Sequence, residues 1–292
     1  MKALWAFEPF HQDDTRTKGM HSTLRQLAGS SSNIEVGFVV TRTEGELSQA
    51  FDVPAEERFS TYPKKLTEKA LRKAKVPIEH GKIHVVDYPT LSNTKAVDQL
   101  LGLAKSRNAD LIAMYTHSRK GFARLVLGSF AETAIHRSKV SLLLVNPKCS
   151  FSKTIKSIFF ASDFAPASKK NLKRVLLLCR QVRAKLTVFH QAEIIYKWSM
   201  DESNPKIHAY RRKVNRMQEW IKQECQRSGV SCAVIVKSEF SATSDLAIKT
   251  AAKAKADLIV VAAKSGPTAA LMGGSITRQI VRGSNKPILI LK

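Results

Sequence analysis

Short apolar runs alternate with amphipathic stretches along the whole chain. Most runs are rich in β-branched or aromatic residues, which is typical of buried parallel strands. The amphipathic stretches predict helices, so each half has the order βαβαβαβαβ, which predicts a parallel sheet with helices on both faces. The runs are Lys2–Glu8, Ile34–Thr41, Lys82–Asp87, Asp110–Tyr115 and Val140–Asn146 in the first half, and Lys156–Ser162, Lys185–His190, Val230–Lys237, Asp257–Ala263 and Pro287–Lys292 in the second.

The clearest helical pattern is Ile207–Cys225. Its apolar residues recur three or four positions apart and therefore share one helix face. The opposite face is strongly basic. The apolar set is Ile207, Tyr210, Val214, Met217 and Ile221, and the basic set is Arg211, Arg212, Lys213, Arg216 and Lys222.

Segments of the first half return in the second half in the same order. "ADLIAMY" (Ala109–Tyr115) returns as "ADLIVVA" (Ala256–Ala262), 147 residues later. Two copies of one domain explain this most simply, and we predict them at residues 1–147 and 153–292. The apolar runs Val140–Asn146 and Pro287–Lys292 are expected to be edge strands that pair with each other, because exposed apolar edges need a partner. The two domains would then form an intramolecular pseudo-dimer, with any further oligomer left open.

Composition narrows the class of protein. The 292 residues suit two domains, and no run of about 18 apolar residues predicts a membrane span. The N-terminus reaches Glu8 too early for the apolar core of a signal peptide, so we place the protein in the cytoplasm. The cysteines form no CxxC pair and have no histidine at zinc spacing, so we interpret them as reduced thiols that bind no metal; they are Cys149, Cys179, Cys225 and Cys232.

Charge is the unusual feature of the composition. Lys and Arg number 48 against 24 acidic residues, a formal net charge of +24. Through Ser150, 22 basic against 15 acidic residues give +7, and beyond it 26 against 9 give +17. Such a charge attracts polyanions such as nucleic acid. The basic residues are dispersed, however, and no aromatic RNA-stacking motif is present, so a solvated basic surface is favoured over a polyanion site.

Three stretches together resemble the universal stress protein family in its tandem two-domain form, and the resemblance covers nearly the whole chain. They are Phe159–His190, Ala109–Asn146 and Gly273–Leu291. The resemblance implies two five-stranded, Rossmann-like α/β domains similar to the adenine nucleotide alpha hydrolases. It also implies a binding and regulatory role in stress resistance, with ATP or another adenine nucleotide as ligand. In nucleotide-binding members an Asp ends the first strand, and the loop after the fourth strand reads Gly, two residues, Gly, nine residues, Gly-Ser/Thr.

The first domain keeps this frame without its glycines. Glu8 stands where the resemblance expects the Asp, and Gly128 and Ser129 match the final pair, which would open a helix whose free N–H groups suit a phosphate. Tyr115 and Ser118 occupy the two glycine positions. Since a Tyr side chain crowds the approach that a glycine leaves open, we expect this site to be degenerate.

The second domain is the better candidate. Asp163 keeps the acid, Ala263 and Gly266 match the first two glycine positions, and Gly274 and Ser275 match the final pair. Only seven residues separate Gly266 from Gly274, so the loop is two residues shorter than in the family. The alternative role of Asp163 is to cap the turn that follows it.

Other residues favour a binding module over a catalyst. His117 is expected on a surface loop, and His190 is placed to line the same crevice as Asp163.

An ATPase needs a metal-binding carboxylate and a group that orients water near the phosphates, and acids are scarce in both loops. A weak ATPase, a polyanion-binding protein and an apolar-ligand protein are the alternatives. The last would use strand aromatics, which otherwise form the core; they are Trp5, Phe7, Phe159 and Phe160.

Overall fold

The computed structural model describes residues 1–10, 13–40, 53–54, 57–58, 60–87, 92–116, 128–165, 167–192, 205–262 and 275–292. The chain divides into two compact units, Met1–Lys153 and Thr154–Leu291. Each unit holds a five-stranded parallel sheet, so the predicted fold class is confirmed. In the described part of the chain, no helix has the length and apolar composition of a membrane span.

The first unit has the strand order β3-β2-β1-β4-β5, with every observed pairing parallel. The chain moves outward from β1 to β2 and β3 and then crosses back to β4, so the order reverses between β1 and β4. Its elements are β1 (Ala3–Ala6), α1 (Asp14–Ala28), β2 (Ile34–Val40), α2 (Thr61–Lys73), β3 (Ile83–Asp87), α3 (Asn93–Ser106), β4 (Leu111–Tyr115), α4 (Ser129–Arg137) and β5 (Ser141–Val145), with single 3-10 turns at Ser31–Asn33 and His80–Lys82.

The second unit repeats this arrangement, with the strand order β10-β9-β6-β7-β8. Its order reverses between β6 and β9, which correspond to β1 and β4. The strands lie within two residues of the predicted apolar runs. The elements are β6 (Ser157–Ala161), α5 (Ala167–Val182), β7 (Lys185–Gln191), α6 (Pro205–Arg227), β8 (Cys232–Lys237), α7 (Thr243–Lys253), β9 (Leu258–Ala262), α8 (Ser275–Gly283) and β10 (Ile288–Leu291).

The strand aromatics belong to the cores of the two units. Trp5 and Phe7 pack edge to face with ring centroids 5.0 Å apart, and Phe159 stacks on Phe189 at 5.6 Å. All four side chains, and that of Phe160, are fully buried. Aromatic pairs of this kind stabilise a core beyond the area that they bury, so the structure gives these residues a packing role.

The predicted helix Ile207–Cys225 is the central part of α6. Ile207, Val214 and Ile221 are buried, whereas Arg212 and Lys213 on the opposite face are exposed. The apolar spacing therefore selects the face that packs on the sheet, and the basic residues remain in contact with water.

The Asp of the repeated Ala-Asp pair has the same structural role in both copies. Asp110 Oδ2 accepts a hydrogen bond from the backbone N–H of Lys2 at 2.8 Å. Asp257 Oδ2 accepts from the N–H groups of Lys156 and Ser157 at 2.8 and 3.0 Å. Each carboxylate thus fixes the start of the first strand of its unit, at the amino ends of the strands.

Replacing Asp257 by Ala is expected to lower the free energy of unfolding by about 1–3 kcal/mol. Hydrogen bonds to a charged acceptor contribute about 1.5–3 kcal/mol each, and water reaching the partly exposed N–H groups recovers some of this. Chemical denaturation measures the loss. Asp110→Ala is the matched control, with a smaller expected loss because that exposed carboxylate holds one such bond. Equal losses in the two variants would contradict this account.

Candidate functional site

Ligands of open α/β sheets bind beyond the carboxyl ends of the strands, where the strand order reverses. In the first unit this point lies between β1 and β4, whose Ala6 and Met114 are paired. In the second unit it lies between β6 and β9, whose Ala161 and Val261 are paired. Each acid predicted from the sequence, Glu8 or Asp163, follows two residues after the alanine of its unit.

Asp163 holds the loop that joins β6 to α5. Its Oδ1 accepts from the backbone N–H of Ala165 at 3.0 Å and from the Ser168 hydroxyl at 2.6 Å. Ser168 is in the first turn of α5, and Asp163 itself is exposed. The structure therefore shows the turn-capping role, and the same contacts fix the carboxylate just beyond the carboxyl end of β6.

Glu8 makes the equivalent turn contact in the first unit. Its Oε1 accepts from the backbone N–H of Phe10 at 2.7 Å, again two residues further along the chain. Both acids thus close the turn that follows the first strand of their unit. Glu8 is one methylene longer than Asp163, yet each carboxylate accepts from the N–H two residues further along the chain.

His190, at the end of β7, contacts both neighbours of Asp163. Its Nδ1 lies 3.0 Å from the Ser162 carbonyl oxygen, and its ring stacks on Phe164 at 4.1 Å between centroids. Since a carbonyl oxygen only accepts, Nδ1 carries the proton. Phe164 has φ +54°, a left-handed conformation that non-glycine residues rarely adopt. His190 and Phe164 are both buried and form one wall beneath the Asp163 turn.

Tyr115, the last residue of β4, lies at the carboxyl end of the first unit's sheet, beside the point where the strand order reverses. Its hydroxyl donates to the Arg16 carbonyl oxygen at 2.8 Å, and the Arg16 guanidinium lies 4.5 Å from its ring centroid. Burial raises the pKa of Tyr115 above its ordinary value, so the phenol is neutral. Arg16 Nε and Nη2 are buried without a hydrogen-bond partner, and the guanidinium makes a cation–π contact with the Tyr115 ring.

The strand register identifies the counterpart of Tyr115 in the second unit. Met114 pairs with Ala6 and Val261 pairs with Ala161, so the next residues, Tyr115 and Ala262, are equivalent. The sequence match had placed Ala263, one residue later, at this position. A methyl group in the second unit therefore occupies the position of a phenol in the first.

Gly128 and Ser129 use their polar groups within the first unit. The sequence suggested that Gly128 is the first residue of a helix. Helix α4 begins instead at Ser129, and Gly128 is its N-cap. The Gly128 N–H donates to the Thr116 carbonyl oxygen at 3.1 Å, and a Cβ on Gly128 would lie 2.7 Å from that oxygen. The Ser129 hydroxyl accepts from Asn93 Nδ2 at 2.6 Å. The first hydrogen bond ties Gly128 to the residue that follows β4, and the second connects α4 to α3.

Several predicted residues lie outside the described part of the chain, namely His117, Ser118, Ala263, Gly266 and Gly274. Ser275 is the first residue of α8, and Thr277 in the same turn is buried. The stretch assigned to phosphate binding thus connects the end of β9 to the start of α8. In the described residues, no group of three His, Cys, Asp or Glu side chains is arranged to hold a metal ion.

Sequence reasoning missed Ser168, Phe164 and Arg16. A hydroxyl at the start of a predicted helix is a usable signal for Ser168, since Ser and Thr commonly bond to acids and N–H groups there. Nothing local marks Phe164 or Arg16, because the partner of each is distant in sequence.

Comparison with known proteins gives matches over nearly the whole chain. The sequence model of the universal stress protein family matches residues 26–146 and 154–292. A universal stress protein structure from Archaeoglobus fulgidus has 16% identity and a TM-score of 0.64, and the match covers 99% of this chain and 96% of that one. A putative universal stress protein from Pseudomonas aeruginosa has 14% identity and a TM-score of 0.63, with 100% and 93% covered. No curated protein gives a significant match.

A third solved structure covers one domain. It is a universal stress protein from Archaeoglobus fulgidus in complex with dAMP, with 13% identity and a TM-score of 0.35. The match covers 47% of this chain and 98% of that one.

Proposed function

Because the chain belongs to the universal stress protein family, we propose that it is a binding and regulatory module of a stress response. Its second domain binds an adenine nucleotide, and occupancy of this site is the signal that a partner reads. The first domain has the same crevice in a form that excludes the ligand.

The contrast between Tyr115 and Ala262 is the observation that carries this proposal. The Tyr115 phenol is fixed by Arg16 at the point where the strand order reverses, so it blocks the approach to the first sheet. Ala262 at the equivalent register leaves only a methyl group. A backbone that a phosphate must approach closely requires small residues at this point.

The surroundings of Asp163 suit the sugar of a nucleotide. Ala165 and Ser168 hold the carboxylate through Oδ1, which orients the whole group at the crevice. A carboxylate oriented in this way accepts hydrogen bonds from ribose hydroxyls. The start of α8 at Ser275 follows the loop after β9, and a helix N-terminus favours a phosphate. The +17 charge of the second half attracts an anionic ligand to this domain.

The test is calorimetric titration of ATP, ADP and AMP into the wild-type protein and two matched variants. Asp163→Asn keeps an oxygen for Ala165 and Ser168 but removes the charge, so the turn persists while ribose binding weakens. We expect about a ten- to hundredfold loss of affinity, because a charge-assisted hydrogen bond contributes about 1.5–3 kcal/mol. Glu8→Gln, the same change in the first domain, is expected to leave affinity unchanged.

Three outcomes would contradict the proposal. They are no nucleotide binding by the wild-type protein, loss of affinity in Glu8→Gln alone, and unchanged affinity in Asp163→Asn. Release of inorganic phosphate from ATP at a steady rate would favour the weak ATPase over a binding module.

A further inference from the structure

Three of the four cysteines converge in the second unit, although they are distant or irregularly spaced in the sequence. Cys179 lies on α5, Cys225 in the last turn of α6, and Cys232 at the first position of β8. All are free thiols. Cys149 belongs to the first unit.

The end of α6 brings Cys225 and Cys232 together. The Val230 N–H donates to the Cys225 carbonyl oxygen at 3.0 Å, and the Gly229 N–H donates to that of Gln226 at 3.0 Å. With Gly229 at φ +64°, these bonds form a Schellman ending, which reverses the chain within a few residues. β8 therefore starts close to the last helical turn, where the thiols of Cys225 and Cys232 interact. The Cys232 thiol also donates to the Ala233 carbonyl oxygen at 3.7 Å.

The two thiols have different acidities because of this contact. The hydrogen bond from Cys232 lowers the pKa of Cys225, although burial and Glu224 act in the opposite direction. The same interaction and burial raise the pKa of Cys232. Cys225 is therefore the more acidic thiol of the pair. Burial raises the pKa of Cys179 to about 12, with a further rise from the charge on Cys225, so Cys179 remains a thiol.

Access to this pair comes from the Cys232 side. Cys232 is partly exposed, whereas Cys225 and Cys179 are buried. A small oxidant such as a hydroperoxide is therefore expected to approach the pair from the Cys232 side. A cysteine of lowered pKa next to a second thiol is the arrangement of oxidation-sensitive cysteines.

We propose that Cys225 and Cys232 are a redox-active dithiol that a hydroperoxide converts into an intramolecular disulfide. The Cys225 thiolate attacks one peroxide oxygen, the O–O bond breaks, and the leaving hydroxide takes up the proton that the thiol had released, forming water. The Cys232 sulfur then attacks the resulting sulfenic acid at Cys225. The S–S bond forms, the S–O bond breaks, and the hydroxyl leaves as a second water with the Cys232 proton. Two thiols lose two electrons, and the peroxide gains them.

The experiment treats the full-length protein with hydrogen peroxide, blocks remaining thiols with iodoacetamide in denaturant, and maps tryptic peptides by mass spectrometry. Because Arg227 lies between the two cysteines, a Cys225–Cys232 disulfide joins two separate peptides. We expect this joined pair to form at least ten times faster than oxidation of Cys149 or Cys179. The same treatment in urea, where the turn is lost, is expected to abolish the preference.

Two variants separate the roles of the thiols. In Cys232→Ser, the sulfenic acid has no partner, so dimedone is expected to label Cys225. Cys179→Ala is expected to keep the Cys225–Cys232 disulfide, and its rate is a readout that does not depend on substitution within the pair. A dominant Cys179–Cys225 disulfide, oxidation of Cys149 at an equal rate, or no disulfide in the wild-type protein would overturn the proposal.

Discussion

Replacing Gly128 by Val is expected to lower the free energy of unfolding by about 2–4 kcal/mol. The new Cβ would lie 2.7 Å from the Thr116 carbonyl oxygen, and backbone on both sides leaves no flexible group to give way. Moving the chain apart breaks the Gly128 N–H bond to Thr116, which contributes about 0.5–1.5 kcal/mol. The remaining loss is steric strain of about 1–3 kcal/mol. Chemical denaturation followed by circular dichroism measures the change.

Gly102 is the matched control for this substitution. It lies inside α3, and a Cβ there would meet nothing within 4 Å. Gly102→Ala is therefore expected to stabilise the protein by about 0.5–1 kcal/mol, the cost of glycine in a helix interior. Opposite signs for the two substitutions would separate the close backbone approach at Gly128 from a general effect of replacing glycine. A loss below about 0.5 kcal/mol in Gly128→Val would show that the contact with Thr116 can relax.

Ala262→Tyr is expected to lower nucleotide affinity at least hundredfold, if the second domain holds the site proposed above. The substitution gives the second unit the residue that the first unit has at the same strand position, so the phenol would cover the approach to the backbone. Tyr115 shows that a strand end of this fold accommodates such a side chain, which makes a folded variant the expected result. Calorimetric titration of adenine nucleotides measures the affinity.

Ala262→Ser is the control for this prediction. Its small side chain is expected to leave the affinity within about threefold of the wild-type value, so that size is the variable tested. A thermal unfolding midpoint close to the wild-type value in both variants shows that binding, and not folding, has changed. Wild-type affinity in Ala262→Tyr would mean that the ligand does not approach the end of β9.

The strands and helices could be predicted because they follow from local periodicity. The apolar spacing in α6 selects its buried face, and the β-branched runs mark the strands. The helix at Gly128 was predicted one residue too early, because its start depends on the Thr116 carbonyl, which accepts the Gly128 N–H. The Tyr115 hydroxyl bonds to the carbonyl of Arg16, 99 residues away. No local pattern encodes such a contact.

The contact between Cys225 and Cys232 is a second feature that could not be predicted from local sequence. Spacing alone gave no reason to pair Cys225 with Cys232, because seven positions match no metal or redox motif. The Schellman ending at Gly229 shortens that separation by reversing the chain. Gly229 could be recognised in the sequence as a helix-ending residue. Its effect on the two thiols could not, because it depends on where β8 joins the sheet.

The carboxylates of Asp110 and Asp257 lie at the end of the sheet that is the same in both copies. Both copies retain this anchor at the amino ends of their strands, whereas the opposite ends carry Tyr115 in one copy and Ala262 in the other. After a gene duplication, mutations at the carboxyl ends leave the anchor intact. A domain of this fold can therefore lose the ligand site proposed above and still fold.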